Sequence, residues 1–383
     1  MKKKICVIIT NRANFARMKS LLIEIKKSNK LSLQLILSGS ALSHRFGQLE
    51  NELKKNKLIP VARSYFLIDG SDPIAQAKST SLAISEFATI FHKIKPQLTI
   101  TVGDRYETIA TAIASTYSNI PLVHLQGGEV SGNLDEMVRH SITKLASYHF
   151  TTTKKSKERV IKMGEEKNRV YFSGCPGMDL LRLCEKKISK NFFNNVSYTG
   201  KKFQFNENYL LVVNHPVSIE NKKNNLKNID ILLRALPKIQ MHKIMFWPNA
   251  DAYSDIISSK MRSFRENYKK NDFTFVVNTS PENYATLLYN ASCLIGNSSS
   301  FIREGSQLGV PAVILGKRQI SREIGKNIIY CDYSINEILK KTHKQVKKKK
   351  FKKQNIYGYG NSAKKIVEVL EKINPSSKKQ ITY

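Results

Sequence analysis

The chain has 383 residues, of which 41% are hydrophobic, and its formal net charge is +33. This length predicts two globular domains, and no apolar run is long enough to span a bilayer. The N-terminal MKKKICVIIT indicates a first strand rather than a signal peptide, because a cleavage site does not follow its short apolar run. Five dispersed cysteines without a CxxC pair exclude a metal-binding or disulfide framework and predict reduced thiols in a cytoplasm.

The large positive charge has two interpretations, nucleic-acid binding and a lysine-rich surface. Lysine is spread over helices and tails, and the densest run, KQVKKKKFKK at 344–353, lies outside any recognisable nucleic-acid motif. We therefore predict no nucleic-acid partner and no membrane insertion, although a basic site for a phosphorylated ligand fits either interpretation.

Strand and helix patterns alternate along the first half of the chain, which predicts a parallel sheet with crossover helices. In chain order, the predicted elements are a strand at 4–10, a helix at 14–28, a strand at 31–39, a helix at 79–94, a strand at 98–104, a helix at 108–118, a strand at 120–125, a helix at 135–145, a strand at 148–153, a helix at 154–164 and a strand at 169–174.

A second series of short apolar strands begins at YLLVVNHP (209–216) and ends at IIYCD (328–332), after a polar, Asn-rich stretch. We predict an α/β protein of two halves with parallel sheets, in which ligands bind at the carboxyl ends of the strands and at the interface between the domains. The predicted boundaries are 1–180 and 205–373 for the domains, 181–204 for the linker, and 374–383 for a frayed tail.

Polar residues terminate most of the predicted strands, at the edge where ligands of parallel sheets bind. These strand ends are ITNRANF (9–15), GDRYE (103–107), HLQGGE (124–129), NHPVS (214–218), WPNADAYSD (247–255), GNSSSFIREG (296–305) and GKRQISREIG (316–325). In GNSSS, a glycine turn and hydroxyls precede a helix, which indicates a capped helix N-terminus and a candidate pyrophosphate site. Glu304 suits a ribose diol, since a carboxylate accepts two hydroxyl hydrogen bonds.

Taken together, GDR, H-x-x-GGE-x-SG-x-x-D-x-x-x-RH-x-I-x-K, HPV, PN-x-D and GNSS-x-x-x-RE resemble the hydrolysing UDP-N-acetylglucosamine 2-epimerases, from RANF (12–15) to IYGYGNSA (356–363). The resemblance implies conversion of UDP-N-acetylglucosamine and water to N-acetylmannosamine and UDP, for sialic acid biosynthesis and bacterial surface polysaccharide. Elimination of UDP gives a 2-acetamidoglucal intermediate, which water then hydrates. The resemblance implies an α/β fold of two Rossmann-like domains in a GT-B-like architecture, with the active site in the interdomain cleft. It implies no cofactor, no metal, and a homodimer or homotetramer.

The resemblance also carries roles to residues of this chain. The implied catalytic residues are Asp104, Asp135, Arg139, His215, Gln126 and Glu129. The implied substrate-binding residues are Arg12, Arg105, Asn249, Asp251, Ser298, Ser299, Glu304 and Arg318. Arg139 lies one helical turn after Asp135, so the two are expected to face the same side. His124 and His140 are interpreted as structural.

Two departures from the family pattern keep alternatives open. Asn14-Phe15 replaces an acidic residue and a tyrosine, and Gln126 replaces a glutamate that is a candidate acid/base. An amide does not transfer protons near neutral pH, so proton transfer falls to Asp104, Asp135 or Glu129. The alternatives are the same chemistry on UDP-2,4-diacetamido-2,4,6-trideoxy-glucose for legionaminic-type acids, and a catalytically silent nucleotide-sugar-binding protein. A non-hydrolysing epimerase or a glycosyltransferase fits the motifs less well.

Overall fold

The computed structural model describes residues 1–43, 49–70, 72–132, 134–201, 203, 207–248, 251–270 and 272–382. The chain divides into two compact units. The first contains Met1–Val130, Leu134–Leu180 and Tyr357–Tyr383, and the second contains Ser131–Asn133 and Leu181–Ile356. None of the helices in the described ranges combines the length and apolar character that crossing a membrane requires.

The first unit is built on a parallel sheet, as the alternating pattern predicts. Its strands are β1 (Lys3–Ile9), β2 (Leu31–Ser38), β3 (Pro60–Ser64), β4 (Leu98–Val102), β5 (Leu122–Leu125), β6 (Tyr148–Thr151) and β7 (Val170–Phe172). Its helices are α1 (Arg12–Lys27), α2 (Glu50–Lys55), α3 (Pro73–Ile94), α4 (Tyr106–Tyr117), α5 (Leu134–Leu145) and α6 (Lys154–Lys162). Over the described residues, the strand order is β3-β2-β1-β4-β5-β6-β7, so the direction of winding reverses between β1 and β4.

The second unit repeats this plan with one antiparallel edge. Its strands are β8 (Ser197–Gly200), β9 (Tyr209–Val213), β10 (His242–Phe246), β11 (Phe273–Asn278), β12 (Cys293–Gly296), β13 (Ala312–Leu315) and β14 (Ile328–Cys331). Its helices are α7 (Lys222–Ala235), α8 (Ser254–Asn267), α9 (Pro281–Asn290), α10 (Ser299–Leu308) and α11 (Ile335–Val346). Over the described residues, the order is β14-β13-β12-β9-β10-β11-β8, which reverses between β9 and β12.

The central strands are buried on both faces, which explains their continuous apolar runs. In the first unit, Ile5, Val7 and Ile9 of β1 join a core with the inner face of α1. In the second, Leu210 and Val212 of β9 join a core with α7 and α8. Each reversal point therefore lies beside a buried strand. The loops that follow the two flanking strands run in opposite directions there and leave a crevice in which a ligand can bind.

The two compact units differ from the predicted domain boundaries in two places. The stretch 181–204, predicted as a linker, contains β8, which pairs antiparallel with β11 through Thr199 and Phe275. An edge strand needs backbone partners but no buried side-chain face, so its polar sequence gave no strand pattern. The end of the predicted second domain forms α12 (Ser362–Lys372), whose Ile366 and Leu370 belong to the core of the first unit.

Residues 374–382, predicted as part of a frayed tail, make hydrogen bonds with the first unit. Tyr148 Oη donates to the carbonyl of Asn374 at 2.9 Å, and the amide of Thr382 donates to the carbonyl of Gly164 at 3.0 Å. These hydrogen bonds use the backbone groups of the segment, so no apolar periodicity in its own sequence could reveal them.

Candidate active site

Asp104 and Arg139 form a buried ion pair at the reversal point of the first sheet. Asp104 follows β4, and Arg139 lies on α5. Arg139 Nε donates to Asp104 Oδ2 at 3.0 Å, and Arg139 Nη2 contacts the same oxygen. The Arg139 side chain is fully buried and Asp104 is 8% exposed, so the pair is shielded from water. A pair in such surroundings keeps both charges fixed in place.

Three carboxylates surround this guanidinium. Burial alone would lower the pKa of Arg139, but the charges of Asp104 and Glu129 outweigh it, Asp135 adds to them, and the pKa is raised. Arg139 Nη1 also donates to the backbone carbonyl of Glu129 at 2.6 Å. The structure thus brings together four of the residues that the sequence predicts to be catalytic, around one permanent cation.

Glu129 itself is held from the neighbouring strand. Its Oε1 accepts a hydrogen bond of 2.6 Å from Thr152 Oγ1, just after β6, and Glu129 is 4% exposed. Asp135, in the first turn of α5, is only partly buried. Asp104 and Glu129 are thus buried, whereas Asp135 has more access to water.

Gln126 takes a strained position at the end of β5. Its φ is +70°, a left-handed conformation that is uncommon for residues other than glycine. Its Oε1 accepts from Arg17 Nη1 at 3.3 Å, and its Nε2 donates to Cys175 Sγ at 3.4 Å. The carboxamide is thus buried and oriented, although it transfers no proton.

Arg17 is a cation of this site that the sequence analysis did not single out. A Cβ added at Gly103 would lie 3.3 Å from Arg17 Nη1, so the guanidinium lies beside the GDR turn as well as beside Gln126. Its position on α1, five residues after Arg12, is not a same-face spacing, so helical periodicity gave no signal for it.

His124, interpreted as structural from the sequence, is fully buried and hydrogen-bonded on both ring nitrogens. Its Nε2 bonds the carbonyl of Gly103 at 2.8 Å, and its Nδ1 bonds Thr143 Oγ1 at 3.1 Å. Burial lowers the pKa of His124 to about 3, so the ring is neutral at pH 7 and Nε2 donates to the carbonyl. His140 pairs with Glu136 at 3.6 Å on the partly exposed side of α5.

Arg12 and Arg105 follow the two strands that flank the reversal point. Burial lowers the pKa of Arg12 to about 10, which leaves it charged at neutral pH. Arg105 Nε donates to Glu107 Oε2 at 3.0 Å, and Glu107 is fully buried. Glu107 thereby fixes the direction of a guanidinium that remains partly exposed.

In the second unit, Asn297 connects the ends of β9 and β12. Its Oδ1 accepts from the amide of His215 at 2.7 Å, and its Nδ2 donates to the carbonyl of His215 at 2.7 Å. Asn297 is fully buried, and His215 is 8% exposed. This double hydrogen bond brings the predicted catalytic histidine beside the predicted pyrophosphate turn.

The turn itself depends on Gly296. Its φ is +139°, and a Cβ added there would lie 2.0 Å from the carbonyl oxygen of Val213. Only glycine allows the two backbones to approach so closely. The chain then enters α10 with Ser298 as its N-cap, whose hydroxyl accepts from the amide of Ser300 at 3.4 Å. The first amides of α10 and its dipole make this end attractive to an anion.

Arg318 and Glu304 complete the surroundings of the turn. Arg318 Nη1 donates to the carbonyl of Asn297 at 3.3 Å, which places a guanidinium next to the helix N-terminus. Glu304 lies on α10. Burial is the main cause that raises the pKa of Tyr284, and the negative charge of Glu304 raises it further. The arrangement offers positive charge for a pyrophosphate and an acceptor for hydroxyls.

Of the remaining predicted residues, Ser299 opens α10 and is partly exposed. The carbonyl of Asp251 accepts from the amide of Ser254 at 3.1 Å, at the start of α8. Asn249 lies outside the described residues. In the part of the chain that the structure describes, no group of three or more His, Cys, Asp or Glu side chains could hold a metal ion.

Comparison with known families matches most of the chain. The model of the family described as UDP-N-acetylglucosamine 2-epimerase matches residues 23–371. The match spans both units and every candidate site residue except Arg12 and Arg17.

Among curated proteins, two similar relatives are named as hydrolysing UDP-N,N'-diacetylbacillosamine 2-epimerases. The Campylobacter jejuni protein, named for GDP/UDP-N,N'-diacetylbacillosamine, is 33% identical over 92% of this chain and 89% of its own length. The Legionella pneumophila protein is 31% identical over 97% of each chain. The polysialic acid biosynthesis protein P7 of Escherichia coli is 30% identical over 88% of this chain and 85% of its own length.

Solved structures confirm the fold class. The UDP-GlcNAc 2-epimerase of Neisseria meningitidis, bound to UDP-GlcNAc, superposes with a TM-score of 0.78 at 18% identity, covering 97% of this chain and 100% of its own. The Methanocaldococcus jannaschii enzyme in complex with UDP-GlcNAc and UDP gives a TM-score of 0.76 at 17% identity, covering 96% and 99%.

Proposed function

Since the chain belongs to the UDP-N-acetylglucosamine 2-epimerase family, we propose that it is a hydrolysing 2-epimerase of a UDP-2-acetamido sugar. The sugar is released with inverted configuration at C2, together with UDP. The observation that carries the proposal is the gathering of Asp104, Glu129 and Asp135 around the buried Arg139. Removal of a C2 proton and its return on the opposite face need acids and bases, and this cluster supplies them.

The proposed mechanism assigns the other half of the reaction to the second unit. As the C1–O bond breaks, negative charge accumulates on the departing pyrophosphate. The amides of α10, the hydroxyls of Ser298 and Ser299, and the guanidinium of Arg318 stabilise that charge. His215, held by Asn297, lies at the same turn and assists departure, and Glu304 accepts from the ribose hydroxyls.

In the first unit, we assign the C2 proton steps to the carboxylates, because Gln126 cannot take part. Asp104 is paired with Arg139, which stabilises its ionised form. A neutral His124 holds the backbone of the GDR turn in place. Water then adds at C1 of the glycal, and the second proton transfer completes the inversion.

We propose UDP-2,4-diacetamido-2,4,6-trideoxy-glucose as the substrate, with a legionaminic-type acid pathway as its setting. This choice rests on the two similar relatives that are named for UDP-N,N'-diacetylbacillosamine. UDP-N-acetylglucosamine, the first choice from sequence, is the second candidate, supported by the family description and by a Neisseria meningitidis relative of that name at 28% identity. The five free cysteines fit a reducing cytoplasm. The homodimer or homotetramer implied by resemblance stays a prediction for sedimentation analysis.

The test is proton NMR in deuterated water with each UDP-sugar in turn. Turnover yields UDP and a free sugar that carries deuterium at C2, and the two initial rates identify the substrate. We expect Asp104→Asn and His215→Ala to abolish turnover, while His343→Ala, at an exposed position of α11, keeps the wild-type rate. Tight binding of both UDP-sugars without release of UDP would contradict the proposed enzyme and would indicate a catalytically silent nucleotide-sugar-binding protein.

A further inference from the structure

The last residues of the chain form an ordered segment, here named the C-terminal strap and defined as residues 374–382. Its contacts are distributed along its whole length. The hydrogen bonds run from Tyr148 Oη to Asn374 O (2.9 Å), from Ser376 N to Tyr148 Oη (3.2 Å), from Arg169 Nη1 to Lys378 O (2.8 Å) and from Thr382 N to Gly164 O (3.0 Å). The strap follows the outside of the first unit near the C-terminal end of α5.

Lys379 is the residue of the strap that contacts α5. Its Nζ donates to the backbone carbonyls of Thr143, Lys144 and Ala146, at 3.2, 2.6 and 2.8 Å. The last carbonyls of a helix have no partner within the helix, and a cation there also complements the helix dipole. Lys379 therefore caps α5 from a position 235 residues further along the chain.

The ammonium is held in this position by a buried carboxylate. Lys379 Nζ lies 2.6 Å from Glu165 Oε2, and Glu165 is 1% exposed. The same carboxylate accepts from Lys144 Nζ at 2.8 Å and bonds His149 Nε2 at 3.0 Å. Three partners on one buried carboxylate leave little freedom for Lys379, so the cap is rigid.

The capped helix is the one that carries the proposed catalytic residues. Arg139 lies four residues before Thr143 on α5, and Asp135 lies one turn earlier. The hydroxyl of Thr143 bonds His124 Nδ1, and the other ring nitrogen of His124 bonds the carbonyl of Gly103, next to Asp104. A continuous series of hydrogen bonds therefore connects the end of α5 to the turn that presents Asp104. A shift of α5 along its axis would move Arg139 relative to Asp104.

We propose that Lys379 is a positioning residue of the 2-epimerase reaction, because it holds the catalytic helix α5 through its C-terminal carbonyls. The inference rests on the proposed function and adds to it a residue far from the substrate. Lys379 contacts α5, whereas the proposed pyrophosphate site lies on α10 of the second unit. Loss of the Lys379 contacts is therefore expected to lower turnover of the sugar and to leave UDP binding at α10 unchanged.

The test compares Lys379→Met with Lys378→Met, which removes the same charge from the neighbouring exposed position. A small displacement of a catalytic group costs up to about 100-fold in rate. We therefore expect kcat of Lys379→Met to fall by about 10- to 100-fold, with KM and the Kd for UDP within about twofold of wild type. Lys379→Arg, which keeps charge and donors, restores most of kcat.

Hydrogen exchange without substrate separates this proposal from the proposed function. We expect amides of α5 to exchange faster in Lys379→Met than in Lys378→Met, whereas amides of α10 stay unchanged. Equal kcat or equal α5 exchange in the two variants would overturn the positioning role. Absence of turnover in the wild type would instead overturn the proposed function, and α5 exchange would still test the strap. If thermal unfolding shows that Lys379→Met does not fold, Lys379→Gln replaces it in both measurements.

Discussion

Arg139→Met tests the organisation of the first-unit cluster. The substitution keeps an apolar stem of similar length and removes the guanidinium that bonds Asp104 and the carbonyl of Glu129. Arg139 is fully buried, so water cannot replace it, and Asp104 is left with an uncompensated charge at 8% exposure. Removal of one partner of a buried pair costs about 3–5 kcal/mol of unfolding free energy.

The substitution of the partner, Asp104→Asn, allows the interaction free energy between Asp104 and Arg139 to be measured in a double-mutant cycle. If the cost of Arg139→Met arises from the uncompensated carboxylate, then the double variant Asp104→Asn/Arg139→Met recovers part of it. We expect a coupling free energy of about 2 kcal/mol between the two positions. As a control, Arg159→Met removes a partly exposed guanidinium that donates to the carbonyl of Gly128, and it costs about 1 kcal/mol.

The assay is urea unfolding at pH 7, followed by circular dichroism and by fluorescence. The single tryptophan, Trp247, lies in the second unit, so its fluorescence follows that unit, whereas circular dichroism follows both. Arg139→Met is expected to shift the circular dichroism transition more than the fluorescence transition. A loss below about 1 kcal/mol, or additive single and double variants, would refute the reasoning about a buried pair.

Three further substitutions have expected outcomes. Gly296→Ala is expected to weaken UDP binding by about tenfold or more in calorimetry, because its Cβ would lie 2.0 Å from Val213 O; Gly177→Ala, whose Cβ would find its nearest neighbour at 3.6 Å, serves as the tolerated control. Glu107→Gln is expected to raise KM severalfold, as Arg105 loses the charge of its buried partner; an unchanged KM would remove Arg105 from the substrate site. Burial raises the pKa of Glu165, but bonds from His149, Lys144 and Lys379 outweigh it and lower the pKa from 4.5 to about 2. Because the pKa of Glu165 is lower in the folded state, its ionised carboxylate stabilises the fold above about pH 4.5, and this stabilisation is lost as the pH falls toward 2. Glu165→Gln is therefore expected to flatten the pH dependence of the urea midpoint between these values. Parallel curves for wild type and variant would contradict this.

The periodicity of the sequence predicts the alternating architecture because buried parallel strands need apolar runs and their helices need apolar stripes. The periodicity does not predict against which hydrophobic core the apolar face of a given helix packs. The stripe of α12, with Ile366 and Leu370, fits any sheet, and only the folded chain assigns it to the first unit. β8 escaped prediction for the opposite reason, since its pairing with β11 uses backbone groups that every residue has.

The candidate site shows the same division. Strand ends identify Asp104, Glu129, His215 and Ser298, because the carboxyl ends of parallel strands lie on one edge of a sheet. Helical spacing connected Arg139 to Asp135, and the charge of Asp135 does act on it. The hydrogen-bonded partner Asp104 lies 35 residues away in sequence, and no local pattern encodes such a contact. Asn297 was missed as the clamp of His215 for the same reason.

The discontinuous first unit has a consequence for biosynthesis. Its core is closed by Ala363, Ile366 and Leu370, and these follow the whole of the second unit in the chain. Translation proceeds from the N-terminus. Part of the apolar core of the β1–β7 sheet therefore remains exposed until residues beyond 357 have left the ribosome. Incompletely covered intermediates of this kind aggregate and are bound by chaperones. A nascent chain that stops before α12 would thus carry every catalytic residue assigned above and still lack a finished first unit.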